Sequence, residues 1–177
     1  MIITLEQFTI EPIAVKDAWR LCNFIVSNEE RLKRFFPSTL AQNLNPNLSD
    51  NFVAKKAAQF DAREELLFTL KEKKNRSIIG MVYIKDLDWN KKQAELAYCI
   101  GYQDEGKGWI SQSVKALSEF AIETLGLKSL QIIVHKSNLG SVKVAEKNGY
   151  VWQRTLEKEH TPPGENALDM ELYELYA

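Results

Sequence analysis

Residues 93–121 constrain the fold of this chain more than any other segment, because they read as a strand, a glycine-rich turn and a long amphipathic helix. Gly106 and Gly108 lie in the turn. The helix that follows has a clear apolar stripe, formed by Ile110, Val114, Leu117 and Ala121. The first N–H groups of a helix lack intrahelical partners and lie at the positive end of its dipole. Because glycine lets a phosphate approach the backbone, we predict an anion site at this turn.

Two familiar phosphate-binding motifs fit the turn poorly. Gly101, Gly106 and Lys107 have the Gly-x4-Gly-Lys spacing of a P-loop. However, Gly108 stands where the hydroxyl ligand of Mg²⁺ should be, so a nucleotide hydrolase is a weak alternative. A Rossmann fingerprint needs a third glycine three positions after Gly108, and that position is Ser111.

A third motif fits the turn better. The pyrophosphate loop of an acyl-coenzyme A site has the pattern Gln/Arg-x-x-Gly-x-Gly/Ala, which Gln103, Gly106 and Gly108 satisfy. A glycine turn that only connects the strand to the helix is the simpler structural alternative. The sequence therefore favours a coenzyme A site but leaves the plain connection open.

The composition is that of an ordinary globular protein, with 177 residues of which 45% are hydrophobic and 27% charged, so we expect one domain over residues 1–177. A net charge of −1 argues against a nucleic-acid partner. No apolar run approaches the ~20 residues of a membrane span, and the N-terminus alternates like a strand rather than a signal peptide. Cys22 and Cys99 cannot form a disulfide framework, and with His135 and His160 they show no zinc-ligand spacing. We expect a cytoplasmic protein without a metal or a membrane partner.

Hydrophobic periodicity predicts the remaining elements. We predict helices over residues 15–27, 29–36, 51–63 and 138–148, with Ser49 or Asp50 capping the third and residues 38–46 forming a loop. We predict strands over residues 2–13, 66–70, 78–87, 93–101, 130–134, 151–160 and 167–175. If the helix after the glycine turn is a crossover, its flanking strands are parallel. The predicted fold class is therefore mixed α+β, with a mostly antiparallel sheet that contains one βαβ unit.

Two segments resemble a known family. AELAYCIGYQDEGKGWISQSVKALSEFA, followed further on by NLGSVKVAEKNGY, is similar to the GNAT acetyltransferases, and most similar to the ribosomal-protein N-acetyltransferase branch of RimJ/RimL type. The resemblance is clear over residues 93–150. It implies a GNAT fold in which acetyl-coenzyme A lies where two parallel strands splay apart. It also implies that an amine attacks the thioester directly in a ternary complex.

The resemblance implies a set of cofactor-binding residues. The backbone of the first splayed strand would hold the pantetheine, the turn would hold the pyrophosphate, and Asn138 would lie near the pantetheine. These residues are Tyr98, Cys99, Ile100, Gln103, Gly106, Lys107, Gly108, Trp109 and Asn138. Asn138 can alternatively be a plain helix N-cap, and Lys107 a solvated loop lysine.

Ser141 matches the serine of the RimJ/RimL pattern and is the candidate acid that protonates the leaving thiolate. Its structural alternative is a helix serine that bonds its own backbone. Many GNAT enzymes carry a tyrosine acid seven residues after the asparagine, but this chain has Ala145 there. Tyr150 is too far along to replace it and is more consistent with packing. This departure leaves a non-catalytic acyl-coenzyme A sensor as an alternative function.

Two residues are candidates for the general base. Glu95 lies on the splayed strand and matches a glutamate common in this branch, although a salt-bridged structural glutamate is an equal alternative. His160 occupies the place of a hairpin glutamate proposed as base in RimL-type enzymes, and an imidazole with a pKa near ~6.5 suits that role. A one-residue slip in alignment would select Glu157 or Glu159 instead.

The acceptor is expected to be an amine. The helices after the first strand and the last hairpin would line its pocket, where the chain offers Phe35, Phe36, Phe52, Phe60, Trp152 and the two hairpin glutamates. We expect a protein N-terminal amine of ribosomal-protein type, with a small-molecule amine, antibiotic or amino acid as the alternative. The protein is expected to be a monomer or a homodimer.

Overall fold

A computed structural model describes all 177 residues, Met1–Ala177. The strands are Ile3–Thr4 (β1), Phe8–Pro12 (β2), Leu66–Glu72 (β3), Ile78–Asp88 (β4), Gln93–Ile100 (β5), Ser129–Val134 (β6), Val151–His160 (β7) and Leu168–Tyr176 (β8). The helices are Ala18–Ser27 (α1), Glu29–Leu32 (α2), Pro37–Ala41 (α3), Pro46–Asp61 (α4), Trp109–Glu123 (α5) and Leu139–Lys147 (α6). Short 3₁₀ helices cover Val15–Asp17 and Tyr102–Asp104.

The eight strands form one sheet in the order β1-β2-β3-β4-β5-β6-β8-β7. The pairs β1–β2, β2–β3, β6–β8 and β7–β8 are antiparallel, whereas β5 and β6 are parallel. The α5 helix connects those two parallel strands, because parallel neighbours need a crossover connection. The predicted class, a mostly antiparallel sheet with one βαβ unit, is confirmed.

The chain divides into two compact units, and the first comprises residues 1–83 and 98–107. Its core is formed by α1 and α4 against β2 and β3, and its fully buried side chains include Ile10, Leu21, Ile25, Val53, Phe68 and Leu70. The strand β3 is buried along nearly its whole length, as expected of a strand covered on both faces.

The second unit comprises residues 84–97 and 108–177. Three residues of the predicted α5 stripe are buried, because Val114, Leu117 and Ala121 are all 0% exposed, whereas Ile110 in the first turn is half-buried. The parallel ladder between β5 and β6 is short and joins Gln93 to Ser129, Ala94 to Leu130 and Glu95 to Gln131. On its other side β6 pairs with β8 along its full length. The three-pair ladder is consistent with strands that part early.

The N-terminal predictions need four corrections, and the first is that the helix predicted over residues 29–36 ends at Leu32. Residues 2–13 form two antiparallel strands rather than one, with Ile3 opposite Ile10. The loop predicted over residues 38–46 is limited to residues 42–45, because Pro37 begins the helix α3, which ends at Ala41 and buries Thr39 and Leu40, and α4 begins at Pro46. Proline is favoured at the first helical position, where its missing N–H costs no hydrogen bond.

The start of α4 was also predicted wrongly. Neither Ser49 nor Asp50 caps this helix, which begins earlier, at Pro46. The side chain of Asn45 is the cap and accepts a hydrogen bond from the N–H of Leu48 at 3.0 Å. Ser49 is buried inside the helix and donates instead to Oδ1 of Asn43 at 2.7 Å. No helix of this chain is both long enough and apolar enough to cross a membrane.

Candidate active site

The glycine turn has the backbone geometry that an anion site needs. Gly106 and Gly108 have φ values of +77° and +74°, in the left-handed region that favours glycine. A Cβ built at either residue would meet no atom within 4 Å, so the space beside the turn is open. Gly108 is the N-cap residue of α5, and its carbonyl accepts from the N–H of Gln112 at 3.1 Å. The free N–H groups at the start of this 15-residue helix therefore come directly after a turn in which two of three residues, Gly106 and Gly108, have no side chain.

Side chains fix the segment that leads into this turn. Gln103 lies in the 3₁₀ helix and is exposed. Glu105 forms a salt bridge of 2.8 Å with Arg31, and the hydrogen bond from that guanidinium lowers the pKa of Glu105. Lys107 contacts Asp104 at 2.7 Å. Because the ammonium of Lys107 has a carboxylate partner, the backbone is the stronger candidate for contact with a phosphate.

The strand β5 carries the predicted pantetheine residues at its carboxyl end. Tyr98 and Cys99 are half-buried, and Ile100 is buried. Burial raises the pKa of the Cys99 thiol to about 12, so this cysteine is a neutral packing group rather than a nucleophile. Gly80 lies beside this strand on the neighbouring β4, and a Cβ there would come within 2.8 Å of the Cys99 carbonyl oxygen. Gly80 thus permits a close backbone approach that the sequence pattern did not reveal.

The N-terminus of α6 brings Asn138 and Ser141 together. The side chain of Asn138 caps the helix and accepts from the N–H of Ser141 at 3.3 Å. The capping alternative is therefore observed, and the pantetheine contact of Asn138 stays a prediction. Ala145 is fully buried. Tyr150 is 2% exposed and its hydroxyl pairs with that of Ser118 at 2.7 Å, which agrees with a packing role.

Glu95 lies in a small charged cluster of the second unit. Its carboxylate is 3.1 Å from the ammonium of Lys85, and its side chain is 13% exposed. Lys85 also contacts Asp86 at 3.1 Å. Burial raises the pKa of Glu95, although Lys85 opposes this shift and the neighbouring Asp86 carboxylate reinforces it. The result is a half-buried carboxylate that has one cation partner and a raised pKa, which suits a general base.

His160 is the last residue of β7 and pairs with Leu168 on β8. The register of this hairpin shifts between Leu156 and His160, and Lys158 inside the irregular segment has a φ of +51°. Glu157 and Glu159 are exposed in the same segment. Because of this bulge, an ungapped alignment does not fix which of these side chains corresponds to the hairpin glutamate of the RimL-type pattern.

The residues predicted to line an acceptor pocket have different surroundings. Phe52 is 3% exposed, and Phe60 makes an edge contact with a core phenylalanine, so both contribute to the core. Phe35 and Phe36 are half-buried. Trp152 is 53% exposed on β7. The more accessible aromatics therefore remain the stronger candidates for contact with an acceptor.

Comparison with known proteins identifies the family. The family model described as "Acetyltransferase (GNAT) domain" matches residues 7–151. This chain belongs to the GNAT acetyltransferase family. The acetyltransferase is 29% identical over 155 residues to a putative ribosomal N-acetyltransferase, YdaF, of Bacillus subtilis (strain 168), and the match covers 82% of this chain and 79% of that protein.

Solved structures share the fold of this acetyltransferase. The ribosomal-protein-S5-alanine acetyltransferase from Vibrio fischeri has a TM-score of 0.93 at 17% identity, covering 99% of this chain and 96% of that one. The RimL ribosomal L7/L12 alpha-N-protein acetyltransferase in complex with coenzyme A has a TM-score of 0.89 at 15% identity, covering 99% and 98%. The predicted resemblance to the ribosomal-protein branch agrees with these names.

Sequence reasoning missed several residues that support the candidate site of this acetyltransferase. Lys85 and Asp86 lie next to Glu95, Arg31 pairs with Glu105, and Gly80 lies beside β5 on the neighbouring strand. Arg31 is 74 residues from Glu105 in the sequence, so no local pattern could have indicated that pair. Lys85 and Gly80 lie on the strand before β5, where only the register of the sheet decides which side chains meet.

Proposed function

We propose that this chain transfers the acetyl group of acetyl-coenzyme A to a primary amine, and that the amine is a protein N-terminus. The observation that carries the proposal is the Gln103-x-x-Gly106-x-Gly108 turn, with two left-handed glycines at the start of α5. Membership of the GNAT family supports the acetyl transfer. The cofactor and the acceptor are the parts that experiment must test.

The turn fits a pyrophosphate. Open space lies where side chains at Gly106 and Gly108 would be, Gly108 is the N-cap of α5, and Trp109 is its first helical residue. A pyrophosphate there would accept from backbone N–H groups and would lie at the positive end of the helix dipole. Gln103 would flank the pyrophosphate, and the backbone of Tyr98, Cys99 and Ile100 would hold the pantetheine.

Bound acetyl-coenzyme A supplies the acetyl group as a thioester, so the amine nitrogen forms a bond to the carbonyl carbon while the carbon–sulfur bond breaks. The amine must reach the carbonyl in its neutral form and must lose a proton as the new bond forms. We propose that the carboxylate of Glu95 accepts that proton. The departing thiolate needs a proton as well, and we assign Ser141 as its donor.

Glu95 is a better base than His160 on structural grounds. Its carboxylate is held by Lys85 and largely shielded from water, and burial raises its pKa. His160 lies at the end of an irregular hairpin strand whose neighbouring side chains are exposed. A base on a regular strand is more reproducibly positioned than one beside a bulge. We keep His160 as the second candidate.

The acceptor proposal rests on two observations. A relative is named a putative ribosomal N-acetyltransferase, and fold neighbours are named as enzymes that modify ribosomal proteins. In addition, Glu157 and Glu159 are exposed on β7 and would attract a cationic amine. A small-molecule amine is the alternative, because a further fold neighbour is a spermidine N-acetyltransferase chimera. A ribosomal acceptor would place the reaction in the cytoplasm.

A thiol-release assay with acetyl-coenzyme A tests the proposal. The acceptors are peptides with ribosomal-protein N-termini, the same peptides with blocked N-termini, spermidine and free amino acids. We expect turnover only with the free N-termini. Turnover with spermidine or amino acids alone would assign a small-molecule enzyme. Tight cofactor binding without turnover on any acceptor would support the sensor alternative instead.

Calorimetry with coenzyme A tests the turn itself. Gly106→Val should weaken binding at least about tenfold, because a β-branched residue resists a left-handed backbone and its side chain enters the open space. Gly126→Val is the matched control, since Gly126 has a φ of +73° and equally open space just after α5. Normal affinity in Gly106→Val, or equal weakening in both variants, would contradict the assignment of the turn.

A further inference from the structure

A polar cleft lies in the first unit, apart from the helical N-terminus assigned to pyrophosphate. It has a volume of about 630 Å³ and is formed by one face of α1, the turn between β3 and β4, and the 3₁₀ helix Tyr102–Asp104. A smaller cavity of about 180 Å³ is lined by Lys16, Asp17, Arg20, Lys71 and Arg76. Arg20 lines both spaces, so the cleft and the small cavity share a wall.

Two exposed aromatic rings line the cleft. Trp19 is 55% exposed and Tyr102 is 52% exposed, so neither is a core residue. Each ring has a guanidinium 4.8 Å from its centroid, from Arg20 and Arg31 respectively. Asn28 holds Tyr102 in place, because its side-chain oxygen accepts from the N–H of Tyr102 at 3.0 Å. Aromatic and guanidinium planes of this kind stack on nucleobases.

The small cavity has an excess of positive charge. Lys71 is neutralised by Asp17 at 2.7 Å, and Arg76 by Glu11 at 2.6 Å. Lys16 and Arg20 form no ion pair with a carboxylate. Two cations without acidic partners, next to two cations that are already paired, leave a site with net positive charge. A phosphate would complete the pairing of Lys16 and Arg20.

Amide and hydroxyl groups line the cleft between the aromatic rings and the charged cavity. Asn23, Asn75 and Ser77 all face it. The N–H of Ser77 donates to the side-chain oxygen of Asn75 at 2.8 Å. The side-chain NH₂ group of Asn75 can therefore donate to a ligand. Donors and acceptors of this kind can bind a sugar hydroxyl or the edge of a base.

We propose that this cleft binds a nucleotide. Its phosphate would lie against Lys16 and Arg20, and its base against Trp19 and Tyr102. The cleft volume is within the range of roughly 300–1,000 Å³ that small-molecule sites occupy, which favours a free nucleotide over a nucleic-acid strand. Gln103, which would flank the pyrophosphate, also lines the cleft, but none of Gly106, Lys107, Gly108 and Trp109 does, so this site adjoins the proposed cofactor turn without including its glycines.

Calorimetry on the full chain tests this site, with AMP, inorganic phosphate and coenzyme A as probes. We expect AMP to bind and phosphate to bind more weakly. Arg20→Ala should weaken both at least about tenfold, because it removes a charge-assisted contact. Trp19→Ala should weaken AMP by about tenfold and phosphate by less, because it removes the stacking surface together with the ring on which the Arg20 guanidinium lies, while the charge of Arg20 stays. Lys55→Ala removes an exposed lysine of α4 outside the cleft and should change neither affinity.

Four results would overturn the proposal. They are no binding of AMP by the unaltered chain, unchanged AMP affinity in Arg20→Ala, complete loss of AMP binding when coenzyme A is saturating, and Trp19-dependent binding of an RNA oligonucleotide without binding of AMP. The third result would place AMP in the cofactor site, and the fourth would make this face a nucleic-acid surface. Each variant is first checked by its melting temperature, and Arg20→Gln replaces Arg20→Ala if the latter unfolds.

Discussion

Two charged clusters of this acetyltransferase differ in how completely their carboxylates are paired. The closed cluster, in the first unit, comprises Glu11, Asp17, Lys71 and Arg76, and its Lys71 side chain is 2% exposed. The open cluster, in the second unit, comprises Lys85, Asp86 and Glu95, and its Lys85 side chain is 33% exposed. Both bury a glutamate beside a lysine, but only the closed cluster surrounds its glutamate with several donors.

The number of donors decides the direction in which each pKa moves. Burial alone would raise the pKa of Glu11, but hydrogen bonds from Arg76, Thr9 and Lys71 outweigh it and lower the pKa to about 2. Glu95 has only Lys85 as a cation partner, and burial prevails and raises its pKa. A carboxylate with complete pairing is held ionised and serves the fold, whereas one with incomplete pairing can exchange a proton.

The largest expected effect is on the closed cluster. Lys71→Ala leaves Glu11 and Asp17 with buried charges that have lost a partner, so it should lower the free energy of unfolding by about 3–5 kcal/mol. Denaturant unfolding followed by circular dichroism measures the loss. Lys33→Ala is the control, because Lys33 pairs with Glu30 on the surface and its loss should change stability little. Equal losses of unfolding free energy in Lys71→Ala and Lys33→Ala would mean that the buried closed cluster contributes no more to stability than a surface ion pair.

Glu95→Gln tests the open cluster. If Glu95 takes the proton of the amine, the substitution should lower kcat by about a hundredfold while the KM for the cofactor changes little. Steady-state kinetics with an N-terminal peptide measure both constants. His160→Ala is compared in parallel. A large loss of kcat in His160→Ala with normal kinetics in Glu95→Gln would move the base to the hairpin.

Lys85→Met tests the role of Glu95 through the pH dependence of the reaction. Lys85 opposes the effect of burial on Glu95, so removing its charge should raise the pKa of Glu95 further. Because the base must be deprotonated, the midpoint of the acidic limb of kcat/KM should move to higher pH. Lys55→Met, an exposed change on α4, should leave the midpoint in place. An unshifted profile in Lys85→Met would mean that Glu95 does not set this limb.

The smallest expected effect is the loss, at acidic pH, of the stability that Glu11 contributes. Its pKa in the folded chain, about 2, is below the ordinary value of 4.5, so the unfolded chain binds a proton first as the pH falls. The stability that Glu11 contributes is therefore complete above pH 4.5 and is lost between pH 4.5 and 2. The melting-temperature difference between the unaltered chain and Glu11→Gln should shrink across that window. A difference that stays constant down to pH 2 would contradict the full pairing of Glu11.

Local signals made much of the fold predictable. The glycine turn, the stripe of α5, the cap at Asn138 and the bounds of β7 all depend on a few neighbouring residues, and the structure has each of them. The segment of α3 was missed because its support is not local. Thr39 pairs with the hydroxyl of Tyr83 at 3.0 Å across 44 residues.

The sequence by itself determined the family, the order of the elements from β3 onward and the turn proposed to hold the pyrophosphate. Backbone conformation and capping are set by residues adjacent in the chain, so their patterns are visible in one dimension. Only the tertiary structure decided that Glu95 meets Lys85, and that Glu11 and Asp17 share Lys71 more than 50 residues away. Burial and pairing set the pKa of a carboxylate, and both depend on residues that meet only when the sheet forms.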